Sequence, residues 1–402
     1  MTTTINEVLS KRVQNMEESA TIKMAAMARA LKAEGHQVIS LSLGEPDFDT
    51  PEHIKQAAVQ ALAGGHTKYT PVPGLPVLRK AIVDKFKRDN NLHFDMDQIV
   101  VSNGAKQSIF NIFMSLIDPG DEVLILAPYW VSYSEIIRLA GGKPIILTSG
   151  IEEDYKVPAH KIKEAINEKT KALLFSSPCN PTGSVYTHAE LKEIAETIAP
   201  HPHITIVSDE IYEYINFTDH HVSIGAFPEV AAQTVTVNGF SKGFAMTGWR
   251  LGYMGAPKWL AKACAKIQGQ VTSGATAFGQ IAGAHALTSD LGPTKAMKAA
   301  FFERRNMVIQ QLQNIPDMKV NQPQGAFYIF PDISAYFGRS TGEYQINDAD
   351  SFCMYLLREA HVAVVTGAAF GAPNCFRLSY AASEEELKEA IKRIKSALAA
   401  LV

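Results

Sequence analysis

From about residue 97 the chain repeats one pattern, a short apolar run followed by a helical stretch, and that repeat leaves few folds open. The runs are QIVVS, EVLIL, KPIIL, KALLFSS, HITIVSD and TVTVN. A strand with one wet face alternates apolar and polar residues; these runs do not alternate, so both of their faces are covered. Intervening helices supply the cover. The pattern predicts an α/β fold, a mostly parallel sheet sandwiched by helices.

The flanks read differently. A helical pattern over residues 15–34 leads to the strand-like QVISLSLG, which stops at Gly44 and the turn EPDFDTP. A helix over 52–63 opens at Pro51 and closes on Gly64 and Gly65, and the loop HTKYTPVPG after it carries Tyr69. Beyond residue 290 a long helical region precedes strand-like GAFYIF, AVVT and CFRLSYA. A last helix starts at Ser383, where Glu386 completes a capping box. The expected division is a large domain over residues 51–300 and a smaller α+β domain over 301–402, with segment 1–50 joined to the smaller one.

Composition removes several function classes. With 38 basic against 41 acidic side chains in 402 residues, and no block of like charge, nothing attracts nucleic acid or a membrane surface. No apolar run approaches the roughly 20 residues that span a bilayer, and the first residues lack a secretory pattern. Cys179, Cys264, Cys353 and Cys375 form no CxxC pair and no metal-ligand spacing, which suits free thiols in the cytoplasm. A metal site is not expected.

In open α/β sheets ligands lie beyond the carboxyl ends of the strands. Five segments occupy those ends. SNGAKQ offers Gly104 and Ala105, whose backbone N–H groups at a helix start suit a phosphate, though a plain strand-to-helix turn reads the same. PYWVSY puts Trp130 in a loop, where it either covers a planar ring or packs in the core. SSPCNPTG fixes Asn180, as a ligand contact or as the cap of its own turn. VSDEIY ends an apolar strand on Asp209, a carboxylate that needs a positive partner, with Tyr212 close behind. NGFSKGFAMTGWRLGY carries Ser241, Lys242 and Arg250. Together they match the needs of pyridoxal 5'-phosphate (PLP): an amine (Lys242), an anion for the pyridine nitrogen (Asp209), and a cation with N–H groups for the phosphate (Arg250 and the Gly104 turn). The freed Lys242 amine can then carry a proton from the substrate, which is the chemistry of amino-group transfer. Asn180 and Tyr212 suit the ring's phenolic oxygen.

These segments, with SLGEPDFDTPEHIKQAA, KYTPVPGLPVLRKAI and FRLSYA, resemble the class I aminotransferases of PLP fold type I, and within them the bacterial aspartate aminotransferase branch, over nearly the whole chain. The resemblance implies that Lys242 forms the Schiff base, that Asp209 pairs with the pyridinium and that Trp130 stacks on the ring. It implies too that Arg377 forks onto the substrate α-carboxylate, helped by the Gly44 backbone and Asn180. Tyr69 is similar to the tyrosine that reaches the neighbouring subunit's phosphate, which implies a homodimer. Lys106 is similar to the lysine that meets the distal carboxylate of aspartate or glutamate; its other reading is a solvated residue on the first helical turn. Glu17 stands where prephenate-aminating members carry lysine, and Gly239 where some relatives carry a phosphate-binding serine. The implied reaction runs between L-aspartate and 2-oxoglutarate. Rivals on the same fold are broader aromatic or prephenate specificity and a C-S lyase. An effector-sensing regulator needs a DNA-binding module, and the roughly forty residues before Gly44 contain no such pattern.

Overall fold

The computed structural model describes residues 8–402. After a short β1 (Ile39–Ser40), the six apolar runs become β2 (Ile99–Ser102), β3 (Glu122–Ala127), β4 (Lys143–Thr148), β5 (Thr170–Ser176), β6 (Thr205–Asp209) and β7 (Thr234–Gly239). A further strand, β8 (Gly252–Gly255), completes a seven-stranded sheet in the order β2-β8-β7-β6-β5-β3-β4. The neighbours from β7 to β4 pair in parallel, and β8 is antiparallel to both β2 and β7.

The sheet is covered from both sides, as its runs require, except at the edge strand β4, which is only half-buried because it has a neighbour on one side alone. Val123 and Ile125 of β3 pack with Ile109, Ile112 and Phe113 of helix Ala105–Leu116, whereas Leu124 and Leu126 pack with Ile162, Leu191 and Ile194 on the opposite face. Successive strand residues thus feed different cores, which is the period of two that a pleated strand imposes. At the β2 end, Ile99 and Val101 meet Leu78, Ile82 and Phe86 of helix Pro76–Asn90.

The smaller lobe holds β9 (Tyr328–Ile329), a hairpin of β10 (Ser340–Thr341) with β11 (Tyr344–Gln345), then β12 (Val362–Ala363), β13 (Val365–Thr366) and β14 (Phe376–Ser379). The strand expected at AVVT is broken at Val364: β12 pairs with β1 and β13 with β14. That β1–β12 pair stitches the N-terminal segment to the lobe, and Met24, Ala28, Val38 and Leu41 share its core with Leu356, Leu378 and Ile394. Ser383 caps the last helix, Glu384–Ala399, in the expected box with Glu386. One helix, Gly292–Leu312, crosses residue 300 without a break: Thr294 donates to Gly243 O beside the large sheet, while Val308 and Leu312 lie in the small core.

Candidate active site

The parallel strands deliver their chemistry to one edge. Gly104 follows β2, Trp130 follows β3, Asn180 follows β5, Asp209 ends β6 and Lys242 follows β7. Because β8 runs the other way, Arg250, which precedes it, arrives at the same edge. A cavity of about 260 Å³ opens there, and all the candidate residues line it except Gly104 and Tyr69.

Gly104 lies directly beneath the cavity wall. Its φ is +88°, and a β-carbon on it would run into Arg250 Nη2. Its own N–H is spent on Ser102 O at 2.8 Å. Among the described residues the amides of Ala105 and Lys106 have no partner, so these two, at the start of a twelve-residue helix, are the free donors for an anion. Arg250 is held over that turn by Thr247 O at 2.9 Å and Asn103 O at 3.4 Å, and Ser241 lines the same wall. At Gly239 a β-carbon would sit 3.0 Å from Gly252 Cα and 3.2 Å from Leu251 O, so the β7–β8 contact leaves little room for a serine.

Asp209 is 4 % exposed. Tyr133 Oη donates to its Oδ2 at 2.6 Å and the Ile211 amide to its Oδ1 at 3.2 Å. Burial raises its pKa to about 6, against the pull of those two donors. Such an acid is held in place and short of a counter-charge, which a cationic ring nitrogen supplies. Beyond it, Glu210 and Glu213 lie with His221 in the one His/Cys/Asp/Glu group among the described residues close enough to share a metal. That group already has a cation: Lys85 pairs with Glu213, and Asn90 and Ser223 complete the bonding. We read it as a buried ion network that fastens the turn after β6.

Lys242 Nζ donates to Gly44 O. Its pKa is lowered to about 8, first by burial and then by the positive charge of Arg377. Tyr212 is buried, and its Oη lies 2.7 Å from Tyr328 Oη. Lys106 Nζ hangs 4.8 Å over the Trp130 ring, and loss of water followed by the nearby Arg250 lowers its pKa.

Arg377, only 2 % exposed, donates through Nη1 to Asn180 Oδ1 at 2.9 Å and through Nη2 to Ser42 O at 2.6 Å. Its guanidinium lies 4.5 Å over Tyr328 and 4.9 Å over Phe370. Among the described residues no carboxylate pairs with it, and its Nε is buried without a partner. A buried, unpaired guanidinium wants an anion, and a carboxylate fits its fork. Lysine here keeps the charge and loses the fork. We expect Arg377→Lys to lower kcat/KM for the amino donor about 100-fold, the worth of a lost charge-assisted hydrogen bond, mainly through KM in steady-state assays. Tyr69, by contrast, is 99 % exposed and lies outside this cavity.

The residues thus fit PLP: an amine of lowered pKa, a buried acid lacking a counter-charge, free helix-start amides under an arginine, and a buried guanidinium for a carboxylate. Reading the sequence did not single out Tyr133, Tyr328, Phe370 or the Ser42 carbonyl. Tyr133 carries a signal, since it stands three residues after Trp130 in PYWVSY, one helical turn away. The others are visible only once β9, β13 and β14 are assembled.

The chain has close relatives. It is 47% identical to a bifunctional aspartate aminotransferase and glutamate/aspartate-prephenate aminotransferase from Petunia hybrida, over 97% of this chain and 82% of that one. Its structure matches that of the aspartate aminotransferase from Rhizobium meliloti with a TM-score of 0.95 at 42% identity, covering 98% of this chain and 99% of that one. The aspartate aminotransferase from Thermus thermophilus with maleate matches with a TM-score of 0.91 at 41% identity, over 97% and 99% of the two chains. The family model for aminotransferase class I and II covers residues 36–394. On that span and those likenesses, the chain belongs to the class I and II aminotransferases, enzymes that work with pyridoxal phosphate.

Proposed function

We propose that this chain is an aspartate aminotransferase, moving the amino group of L-aspartate to 2-oxoglutarate to give oxaloacetate and L-glutamate. The observation that carries the reading is the convergence of Lys242, Asp209, Arg250 and Arg377 on one cavity with Lys106 at its side. When bound, PLP supplies an aldehyde that condenses with amines and a ring that draws in electrons. Everything else falls to the protein.

Arg377 grips the substrate α-carboxylate with its unused N–H, and Asn180 fixes the fork from behind. Lys106 faces the distal carboxylate, which makes the pocket suit a dicarboxylic donor. The Thermus relative solved with maleate, itself a dicarboxylate, supports that. Lys242 Nζ, with a pKa near 8, is part neutral at physiological pH and so can take a proton from the substrate Cα and return one. Asp209 holds a proton on the ring nitrogen, and Tyr212 with Asn180 hydrogen-bonds the phenolic oxygen. Trp130 covers one face of the ring, and the Ala105 and Lys106 amides with Ser241 and Arg250 hold the phosphate. Gly44 O keeps the Lys242 amine turned into the cavity.

The exposed Tyr69 supports a homodimer in which each copy sends that side chain to the other's phosphate site. The stitching of β1 to β12 supports a small lobe built from both chain ends, with the continuous helix Gly292–Leu312 as its tie to the large one. Four free cysteines, all buried, suit a reducing compartment such as the cytoplasm.

The deciding assay mixes the purified protein with PLP, L-aspartate and 2-oxoglutarate and follows oxaloacetate. A thioether amino acid offered in place of aspartate tests the rival: pyruvate with ammonia and the released thiol from it, and no oxaloacetate from aspartate, would make the protein a lyase. Specificity has its own test: Lys106→Ala should lower kcat/KM for aspartate and glutamate roughly 10- to 100-fold, and that for an uncharged aromatic donor under about 3-fold. Equal losses for both donor classes would remove Lys106 from the distal-carboxylate role. Prephenate offered in place of 2-oxoglutarate should be the poorer acceptor, because Glu17 brings no positive charge.

A further inference from the structure

Tyr328 has no part in the roles above, yet it touches three of the groups that carry them. Its hydroxyl lies 2.7 Å from Tyr212 Oη, and the Arg377 guanidinium sits 4.5 Å over its ring. A β-carbon on Gly44 would run into that same hydroxyl, so the Gly44 backbone passes directly against it. The side chain is fully buried, packed on Phe327 at 4.8 Å between centroids and fixed in register by the pairing of Tyr328 with Ser379. It has no freedom to turn away.

We propose that Tyr328 is a positioning residue that joins the substrate-carboxylate site to the cofactor site: its hydroxyl donates to Tyr212, turning Tyr212's own proton toward the cofactor's phenolic oxygen, and its ring seats Arg377. The inference rests on the PLP reading above. Proton counting sets the direction. Each phenol has one proton to give. Were Tyr212 to donate to Tyr328, it would keep none for a ligand, and among the described residues the Tyr328 proton would have no acceptor. The reverse direction uses both protons. Burial raises both phenols and Arg377 draws both back, so neither proton is lost and the geometry decides the direction. Receiving that bond also polarises the Tyr212 O–H and makes it a stronger donor in turn.

The test compares the PLP-loaded parent with Tyr212→Phe, Tyr328→Phe and Tyr328→Leu, following visible absorbance against pH as well as kinetics. A donor on the phenolic oxygen holds down the pKa of the neighbouring imine nitrogen, so weakening it raises the absorbance midpoint. Tyr328→Phe keeps the ring and should raise the midpoint by about 0.5–1 unit, one neutral hydrogen bond on the pKa scale. KM for aspartate should stay within about 2-fold. Tyr328→Leu should raise the midpoint similarly and also raise KM roughly 10-fold as Arg377 loses its ring. A simple packing role moves no spectral midpoint. If Tyr212→Phe shifts the midpoint while Tyr328→Phe matches the parent, the donor relay is wrong and the functional reading stands. If the parent itself forms no visible band with PLP, both fall. Should Tyr328→Leu fail to fold, as melting of the cofactor-free protein would reveal, Tyr328→Phe alone decides.

Discussion

Replacing Lys242 with alanine is expected to lower turnover of aspartate by at least about 10⁴-fold, because one amine is asked to serve as both covalent anchor and proton carrier. No neighbour can take over. Lys106 Nζ sits over the Trp130 ring, and Arg250 is held by Thr247 O. Borohydride treatment of the PLP-loaded parent should tether the cofactor to the peptide containing Lys242, and mass analysis of the variant should find no such label. A variant retaining more than about a hundredth of parental turnover would remove Lys242 from the chemistry.

The same substitution has a stability consequence of opposite sign. The Lys242 pKa is lowered to about 8 from an ordinary value of 10.5, so between those pH values the unfolded chain binds the proton that the folded chain has lost. Stability of the cofactor-free parent therefore rises with pH across that window, and below about pH 8 the full cost of the buried charge is present, of order 1–3 kcal/mol. Lys242→Ala removes that cost. The cofactor-free variant should melt above the parent at pH 7, and the gap should close as pH climbs toward 10.5. A gap that does not change with pH would assign the difference to packing.

How far the sequence leads depends on how local each signal is. Strands β2, β3, β5, β6 and β7 were legible because burial on both faces leaves its mark along the run, and the half-exposed edge strand β4 was legible from its apolar PIIL. Strand β8 was not: GYMG has no β-branched residue, and its place is set by neighbours. A β-carbon on Gly252 would meet the Ala105 amide, so glycine is what lets the strand pass beneath the helix start. The missing strand mattered, since its antiparallel direction is what returns Arg250 to the edge where Lys242 stands. Residues at strand ends were found for the same local reason. Tyr328 and Phe370 act on Arg377 across a small sheet of two- and four-residue strands, too short for any periodicity to declare. Gly104 was legible as the turn before a helix, but which amides that turn leaves free is a matter of hydrogen-bond geometry.

Asp209→Asn is the second substitution with a large expected effect, a fall in kcat/KM of about 10³- to 10⁴-fold, comparable to losing a charge that stabilises a cationic partner during reaction. The amide is nearly the same shape, but only its oxygen accepts: with that oxygen kept on the Ile211 amide, the NH2 group faces Tyr133, whose hydroxyl turns from donor to acceptor, so the side chain still has partners at the end of β6. What goes is the negative charge that keeps a proton on the ring nitrogen. Tyr133→Phe provides a graded companion: the carboxylate stays, one donor 2.6 Å away is lost, and a loss of about 10-fold follows from one hydrogen bond to a charged group. Stability again runs the other way. The Asp209 pKa is raised to about 6 from 3.8, so the folded, cofactor-free chain holds its proton more tightly than the unfolded one and loses stability as pH rises between those values. Asp209→Asn abolishes that loss, and at pH 7 the cofactor-free variant should be the more stable protein by up to about 3 kcal/mol. Added PLP should then stabilise the parent more than the variant, because only the parent relieves a buried charge on binding. Equal stabilisation by PLP in the two proteins, together with a kcat/KM within about 10-fold, would mean that Asp209 does not face the ring nitrogen.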